Sequence, residues 1–217
     1  NILFQLHDDE IDFYGNDEDA MKGLANEFRA QDYLTPYAAE ENLLFPMSAM
    51  LDYMGKRLIA TAITPGMAEP RDLIEIFATD DDAVDDNATS AWDDAQDNLK
   101  RAVKKLGSSL NIKEHTFSFD GQKEEVLLAA DVQMFVDKEK DNYIMSCARV
   151  LPTEPPTYPV PSWRHHLCWQ IRPELVQSSL DPVNPDAFSA WAGRSAREDN
   201  VAARNLFNRM KKNIIPG

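Results

Sequence analysis

Glycine is scarce, at 8 residues in 217. A glycine-lined phosphate cradle is hard to build from so few, and neither the G-x-G-x-x-G nor the G-x-x-x-x-G-K-[ST] spacing occurs. The G-x-S-x-G and H-E-x-x-H patterns are missing as well, so no nucleophile elbow and no helical zinc-protease site is written locally. Cysteine is scarcer still. Cys147 and Cys168 are the whole complement, which excludes a disulfide scaffold. His165, His166 and Cys168 stand close together and His115 lies elsewhere, but no C-x-x-C or C-x-x-H pairing completes a zinc set. Basic charge is in deficit, with 22 Lys and Arg against 37 Asp and Glu and a net charge of −15. That balance argues against a grip on nucleic acid by phosphate neutralisation and against docking on an anionic membrane. No stretch approaches the roughly 18 uninterrupted apolar residues of a membrane span. The opening, Asn1 to Glu10, has neither the basic segment nor the apolar run of a signal peptide. These absences point to a reducing, aqueous compartment, and a first residue other than Met reads as an internal boundary or a cleavage product.

What is present is ordinary for a globular chain: 43% hydrophobic and 27% charged residues. Residues 17–30 read as a helix, with Met21, Leu24, Ala25 and Phe28 at helical spacing and three acids in the first turn. The apolar stretch Leu43 to Leu51 reads as a helix starting or kinking near Pro46. Lys56–Thr64 reads as a strand closed by Pro65-Gly66, and Leu73–Phe77 as a second strand. The clearest helix runs from Ser90 to about Leu106. Trp92, Ala95, Leu99, Ala102, Val103 and Leu106 form its stripe, Ser90 caps it and Gly107 ends it. Residues 115–151 switch to period two and predict two hairpins, the first turning at Asp120-Gly121 and the second pairing Val132–Val136 with Tyr143–Val150. Five prolines between Pro152 and Pro161 predict an extended connector. A last helix is expected over 198–214, with Ala202, Leu206, Met210 and Ile214 on one side. The fold class is α+β, with antiparallel hairpins packed with several amphipathic helices in a single compact domain.

No Lys or Arg falls between Asp72 and Leu99, and nine acids lie between Glu75 and Asp97, more than half of the net charge. A calcium loop would need a glycine at its sixth position, and a loop starting at Asp80 or Asp82 has none. The run reads as a solvated approach to a helix N-terminus.

Several segments, in order, resemble the central domain of the clustered-mitochondria (CLU) family. Leu51-Asp52-Tyr53-Met54-Gly55-Lys56-Arg57-Leu58-Ile59-Ala60, followed by Ile63-Thr64-Pro65-Gly66, is similar to the family's D-Y/x-x-G-x-R-hydrophobic strand with its Pro-Gly ending. Leu110 to His115 resembles an L-x-L-K-x-H segment. Ala130-Asp131 and Tyr143 to Pro152 resemble the strand Y-L-L-D-hydrophobic-x-R-hydrophobic-x-P, with Ser146 in place of its Asp. Ile171-Arg172-Pro173-Glu174-Leu175 resembles L-R-P-E-L. The family's Tyr-Gly-Ser-type turn is replaced by Phe77-Ala78-Thr79 and the acid run.

The resemblance divides the chain into an N-terminal helical extension (1–42), a CLU-like α+β core (43–176) and a C-terminal helical segment (177–217). Full-length members are much longer, so the chain reads as a distant relative or one excised domain. The resemblance implies a cytoplasmic, non-enzymatic role without cofactor or metal, linked to mitochondrial distribution, to messenger RNAs for mitochondrial proteins and to translation initiation complexes. Protein partners in a larger assembly are expected; direct nucleic-acid contact and membrane insertion are not.

Asp52, Gly55, Arg57, Pro65, Gly66, His115, Asp131, Arg149, Arg172, Pro173 and Glu174 are the motif positions, and each reads as structural. Arg57 and Arg149 are expected to pair with acids such as Asp52 and Asp131, because an Arg among apolar strand residues needs a partner or a wet edge. Asp80, Asp81, Asp82, Asp85 and Asp86 offer a surface to a basic partner. The alternative is a fold resembling lipid or inositol phosphate kinases, inactive because Ser146 stands at the metal carboxylate's position.

Overall fold

The computed structural model describes residues 1–6, 14, 16–63, 86–119, 122–137, 140–156, 165–189, 191–192 and 196–214. The strand expected at Leu73–Phe77, the Asp120-Gly121 turn and the segment Thr157–Pro161 lie outside them.

Helix α1 (Asp17–Glu40) starts where Asn16 Oδ1 accepts the Asp19 backbone N–H at 2.8 Å. It runs ten residues beyond the expected end and passes through Pro36. A proline inside a helix costs about 3 kcal/mol. Leu34 and Ala38 on either side are fully buried, and burying one leucine contributes about 2 kcal/mol, so packing carries the helix across the break. Beyond α1, the chain forms strands where a helix near Pro46 was expected: β2 (Leu43–Leu44) and β3 (Ser48–Tyr53). In β3, Met50 falls on the same face as Ser48 and Asp52, so the unbroken run Ala49-Met50-Leu51 conceals period two.

β3 and β4 (Lys56–Ala62) form a hairpin, and β1 (Ile2–Leu6) pairs antiparallel on the far side of β4, giving the order β1-β4-β3. The hairpin turn places Met54 at φ 50° and Gly55 at φ 77°, the left-handed pair of a tight hairpin, which explains why glycine follows Met54. The register sorts the sheet into two faces. Gln5, Ile59, Thr61 and Ser48 lie inward, with Ile59 and Thr61 buried. Ile2, Phe4 and Leu6 line up with Leu58 and Ala60, and with Leu51 and Tyr53, on the outer face. That face is apolar along its length, and Phe4 and Tyr53 are 61% and 67% exposed.

Helix α2 (Asp86–Ser109) starts before Ser90 and continues past Gly107. The left-handed residue that follows it is Asn111, at φ 59°. Gly107 serves close approach instead: a Cβ there would stand 3.0 Å from the Leu127 carbonyl. Leu99, Val103 and Leu106 are buried as the stripe predicted. β5 (His115–Phe119) and β6 (Gln122–Val126) form the first expected hairpin, with the second strand ending at Val126 where the sequence placed it over Val126-Leu127-Leu128. The second hairpin pairs β7 (Gln133–Val136) with β8 (Asn142–Met145), and β2 adds in parallel to β8. β8 stops short of the expected Val150 because Ser146 turns left-handed (φ 59°) and leads into a one-turn 3-10 helix, Cys147–Arg149.

The start of the proline stretch is tied down rather than free. Ile171 N–H donates to the Pro152 carbonyl at 2.7 Å and Glu154 N–H to the Trp169 carbonyl at 3.0 Å. Three helices follow: α3 (His165–Cys168), α4 (Pro173–Gln177) and α5 (Ala196–Arg209), the last running into a π-helical turn, Met210–Ile214. The buried side of α5 is Ala203, Leu206 and Phe207, whereas Ala202 is exposed, one residue off the expected stripe. One hydrophobic core draws on Leu34 and Ala38 of α1, Val103 and Leu106 of α2, Ile144, and Val183, Ala187 and Leu206 from the C-terminal segment. The arrangement is α+β in a single domain.

Met54→Asn creates the Asn-Gly pair that this turn geometry favours, at a well-exposed position. It is expected to raise stability by about 0.5–1 kcal/mol, read as a shift of the urea midpoint at unchanged slope.

Candidate functional site

The sequence motifs converge on one buried polar cluster. Arg149, at the end of the 3-10 turn, has a side chain only 3% exposed. Its Nε donates to Asp131 Oδ2 at 2.7 Å, and its Nη2 donates to Asp131 Oδ1 at 3.1 Å and to Asp186 Oδ1 at 2.8 Å. Trp191 covers the guanidinium at 4.3 Å from its ring centroid. Asp186, wholly buried, uses its other oxygen twice: Oδ2 lies 2.8 Å from His115 Nε2 and accepts the Ala130 N–H at 2.9 Å. The Asp186 backbone N–H in turn donates to Asn184 Oδ1 at 2.8 Å, an Asx turn through Pro185. Asn184 Nδ2 donates to Asp199 Oδ2 at 2.8 Å, and Lys113 Nζ holds Asp199 Oδ1 at 2.7 Å.

Burial alone would raise the Asp186 carboxyl. The His115 hydrogen bond and the Arg149 charge outweigh it, so the carboxyl titrates below its ordinary 3.8. Taking two charges out of water costs several kcal/mol per ion, and the cluster repays this only because nearly every donor and acceptor is matched. Arg149 Nη1 is the exception, with no hydrogen-bond partner among the described residues.

Beside this cluster, α1, the inner sheet face and the 3-10 turn enclose a cleft of about 180 Å³. Gln5, Gln31, Ser48, Thr61, Glu27 and Ser146 give it a polar lining. Glu27 accepts the backbone N–H groups of Cys147 and Ala148, and Gln31 Nε2 donates to its Oε1 at 3.0 Å. Burial, with the neighbouring Asp131 adding to it, nevertheless holds the Glu27 carboxyl above 4.5. Both carboxylates facing the cleft are therefore engaged, Glu27 on the 3-10 turn and Asp131 on Arg149. Cys147 is fully buried, and burial first, then Glu27 and Asp131, push its thiol well above 9.0, so it is no nucleophile. The Glu27 and Asp131 contacts both fix the 3-10 turn in place.

Several of the other expected positions are also placed by the structure. Asp52 and Arg57 face each other in register across β3 and β4, and the pair is bidentate at 2.7 and 3.0 Å. The Arg57 hydrogen bond holds the exposed Asp52 carboxyl below its ordinary value. Arg172, Pro173 and Glu174 open α4 as N-cap, first and second residues. Cys168 Sγ donates to the Asp19 carbonyl at 3.2 Å, and His166 sits edge-on to Trp191. Pro65, Gly66, Asp80, Asp81, Asp82 and Asp85 lie outside the described residues, and Asp86 begins α2. Sequence reasoning paired Arg149 with Asp131 but missed Asp186, Asn184, Asp199, Trp191 and Glu27. Asn184-Pro185-Asp186 carries a turn signature; nothing local links it to residues 37 to 71 positions away.

The family model described as CLU, clustered mitochondria, matches residues 1–156. The clustered mitochondria protein homolog of Pyricularia oryzae (strain 70-15 / ATCC MYA-4617 / FGSC 8958) is 23% identical over 193 residues, covering 82% of this chain and 14% of the relative. The chain thus spans 14% of that relative's length. No solved structure matches. The kinase-like alternative finds no support in these comparisons, and Ser146 stands in a left-handed turn rather than within a strand.

Two outcomes are expected. Arg149→Ala leaves Asp186 buried without its main partner and is expected to cost about 3–5 kcal/mol in chemical denaturation. The two perturbed carboxyls act oppositely on pH dependence. Asp186, depressed, contributes stability that is present above about pH 4 and lost as pH falls through its folded value. Glu27, raised, makes the native state hold its proton longer, so stability falls as pH rises from 4.5 through its folded value. Stability measured from pH 4.5 upward is expected to decline less steeply in Glu27→Gln than in the wild type.

Proposed function

The chain belongs to the clustered mitochondria (CLU) family, and on that premise we propose that it is a non-enzymatic, protein-binding domain that serves mitochondrial organisation or a translation-associated assembly. The observation that carries this reading is the outer face of the β1-β4-β3 sheet. Phe4, Leu6, Leu51 and Tyr53 leave a continuous apolar surface in water on a chain of net charge −15. Contiguous exposed apolar area of this kind marks an interaction site. The occupant is protein: the relative from Pyricularia oryzae extends far beyond the matched 14%, so a domain of this type has neighbouring chain to meet. The charge balance disfavours RNA as the direct ligand. The Arg149–Asp186 cluster, in which every carboxylate oxygen named is engaged, supports a structural rather than a catalytic interior. No helix among the described residues is long and apolar enough to cross a membrane, and a cytoplasmic place beside mitochondria fits the family. The acid run Asp80 to Asp86 is a second surface, suited to a basic partner.

The test is affinity capture from nuclease-treated cell extract with the wild type and with Phe4→Glu/Tyr53→Glu. Both substitutions sit at exposed positions, so the thermal midpoint is expected to hold. A discrete partner set retained by the wild type and lost by the double variant is expected. Light scattering on the purified chain separates a second copy of the domain from a foreign partner. Retention indifferent to the substitutions, or recovery of RNA alone at physiological salt, sinks the reading.

A further inference from the structure

We propose that the groove between α2 and the β5–β6 hairpin is a docking site for a short acidic–apolar segment of a partner protein. The groove encloses about 430 Å³, within the range of ligand-sized clefts. Its floor is apolar: Leu99, Val126, Leu127 and Met134. One bank is the helix row Gln96, Lys100 and Lys104, spaced four residues apart and so aligned along one face of α2 over about 12 Å. Arg101 stands next to that row.

Two of these cations have no carboxylate partner among the described residues. Lys100 makes no ion pair, and Arg101 donates only to Asn98 Oδ1 at 2.6 Å and to the Asp97 carbonyl at 3.3 Å, both neutral acceptors. Lys104 is held by Glu114 at 2.9 Å, and Glu125 closes the opposite bank. On a chain of net charge −15, unpaired cations beside an apolar floor form a local inversion of the overall field. The complementary ligand places carboxylates on Lys100 and Arg101 and apolar side chains on Leu99, Leu127 and Met134. A nucleic acid fits less well, because among the described residues no aromatic ring lines the groove for base stacking and Glu125 opposes phosphate. A membrane fits less well, because the site is concave and the chain as a whole is repelled by anionic lipid. The groove shares no residue with the exposed sheet face, so the two surfaces stand or fall separately.

The probes are fluorescein-labelled peptides of about twelve residues in which Glu alternates with Leu, Ile or Phe at strand or helix spacing, read by anisotropy against the whole chain. Saturable binding is expected that weakens with salt and when the Glu residues become Gln. Lys100→Glu/Arg101→Glu is expected to weaken it by about tenfold or more, while Phe4→Glu/Tyr53→Glu binds as the wild type. Gln96→Glu, a milder change on the same bank, is expected to weaken binding in the same direction with the thermal midpoint unchanged. The proposal is overturned if no peptide saturates or if the charge reversal leaves binding intact. It is also overturned if a uridine oligonucleotide or phosphatidylserine vesicles bind more tightly than the peptides through the same residues.

Discussion

The buried contact between Asp186 and Arg149 is the constraint on which the rest of this structure depends. Asp186 arrives on a loop from the C-terminal segment and meets the end of the 3-10 turn, the first residue of β5 and the backbone at Ala130. One carboxylate thus joins four separate stretches of chain. An ion pair at this depth is stable only if its desolvation is repaid by geometry, and the bidentate Asp131 contact, the Trp191 ring and the Asx turn supply that geometry. The cluster therefore specifies where the C-terminal segment closes on the core, which an apolar contact of the same area would do with less precision of register.

Glu27 performs the corresponding task from the other side. It reaches from α1 to the N–H groups of Cys147 and Ala148, the start of the 3-10 turn, just after Ser146 has turned left-handed. The turn that carries Arg149 is thereby held at both ends, by a carboxylate in front and by an ion pair behind. Glu27 lines the polar cleft between α1 and the sheet.

Beyond this buried network, the described surface carries features of its own. The outer sheet face is apolar and unshielded among the described residues, the groove on α2 is apolar with a cationic bank, and the acid run precedes α2. The sheet face and the groove thus differ in chemistry, one apolar throughout its exposed part and the other edged by cations.

The sequence by itself determined the elements whose causes are local: the amphipathic stripe of α2, the turn region of the first hairpin, the charge balance, and the pairings Asp52–Arg57 and Asp131–Arg149. Each rests on periodicity, turn chemistry or a motif. The family was legible for the same reason, because its motifs sit on those elements. Only the tertiary structure decided the rest. The strand character of Ser48–Tyr53 is set by β4 beside it and by the turn at Met54-Gly55, and the unbroken run Ala49-Met50-Leu51 conceals the alternation that would have announced it. Asp186 and Glu27 are ordinary surface-type residues in sequence. They become structural because the folded chain buries them against charges and N–H groups far away along it, and burial makes an unmatched charge too costly to leave. Periodicity operates over a few residues, whereas the demand for a partner operates over whatever distance the fold closes.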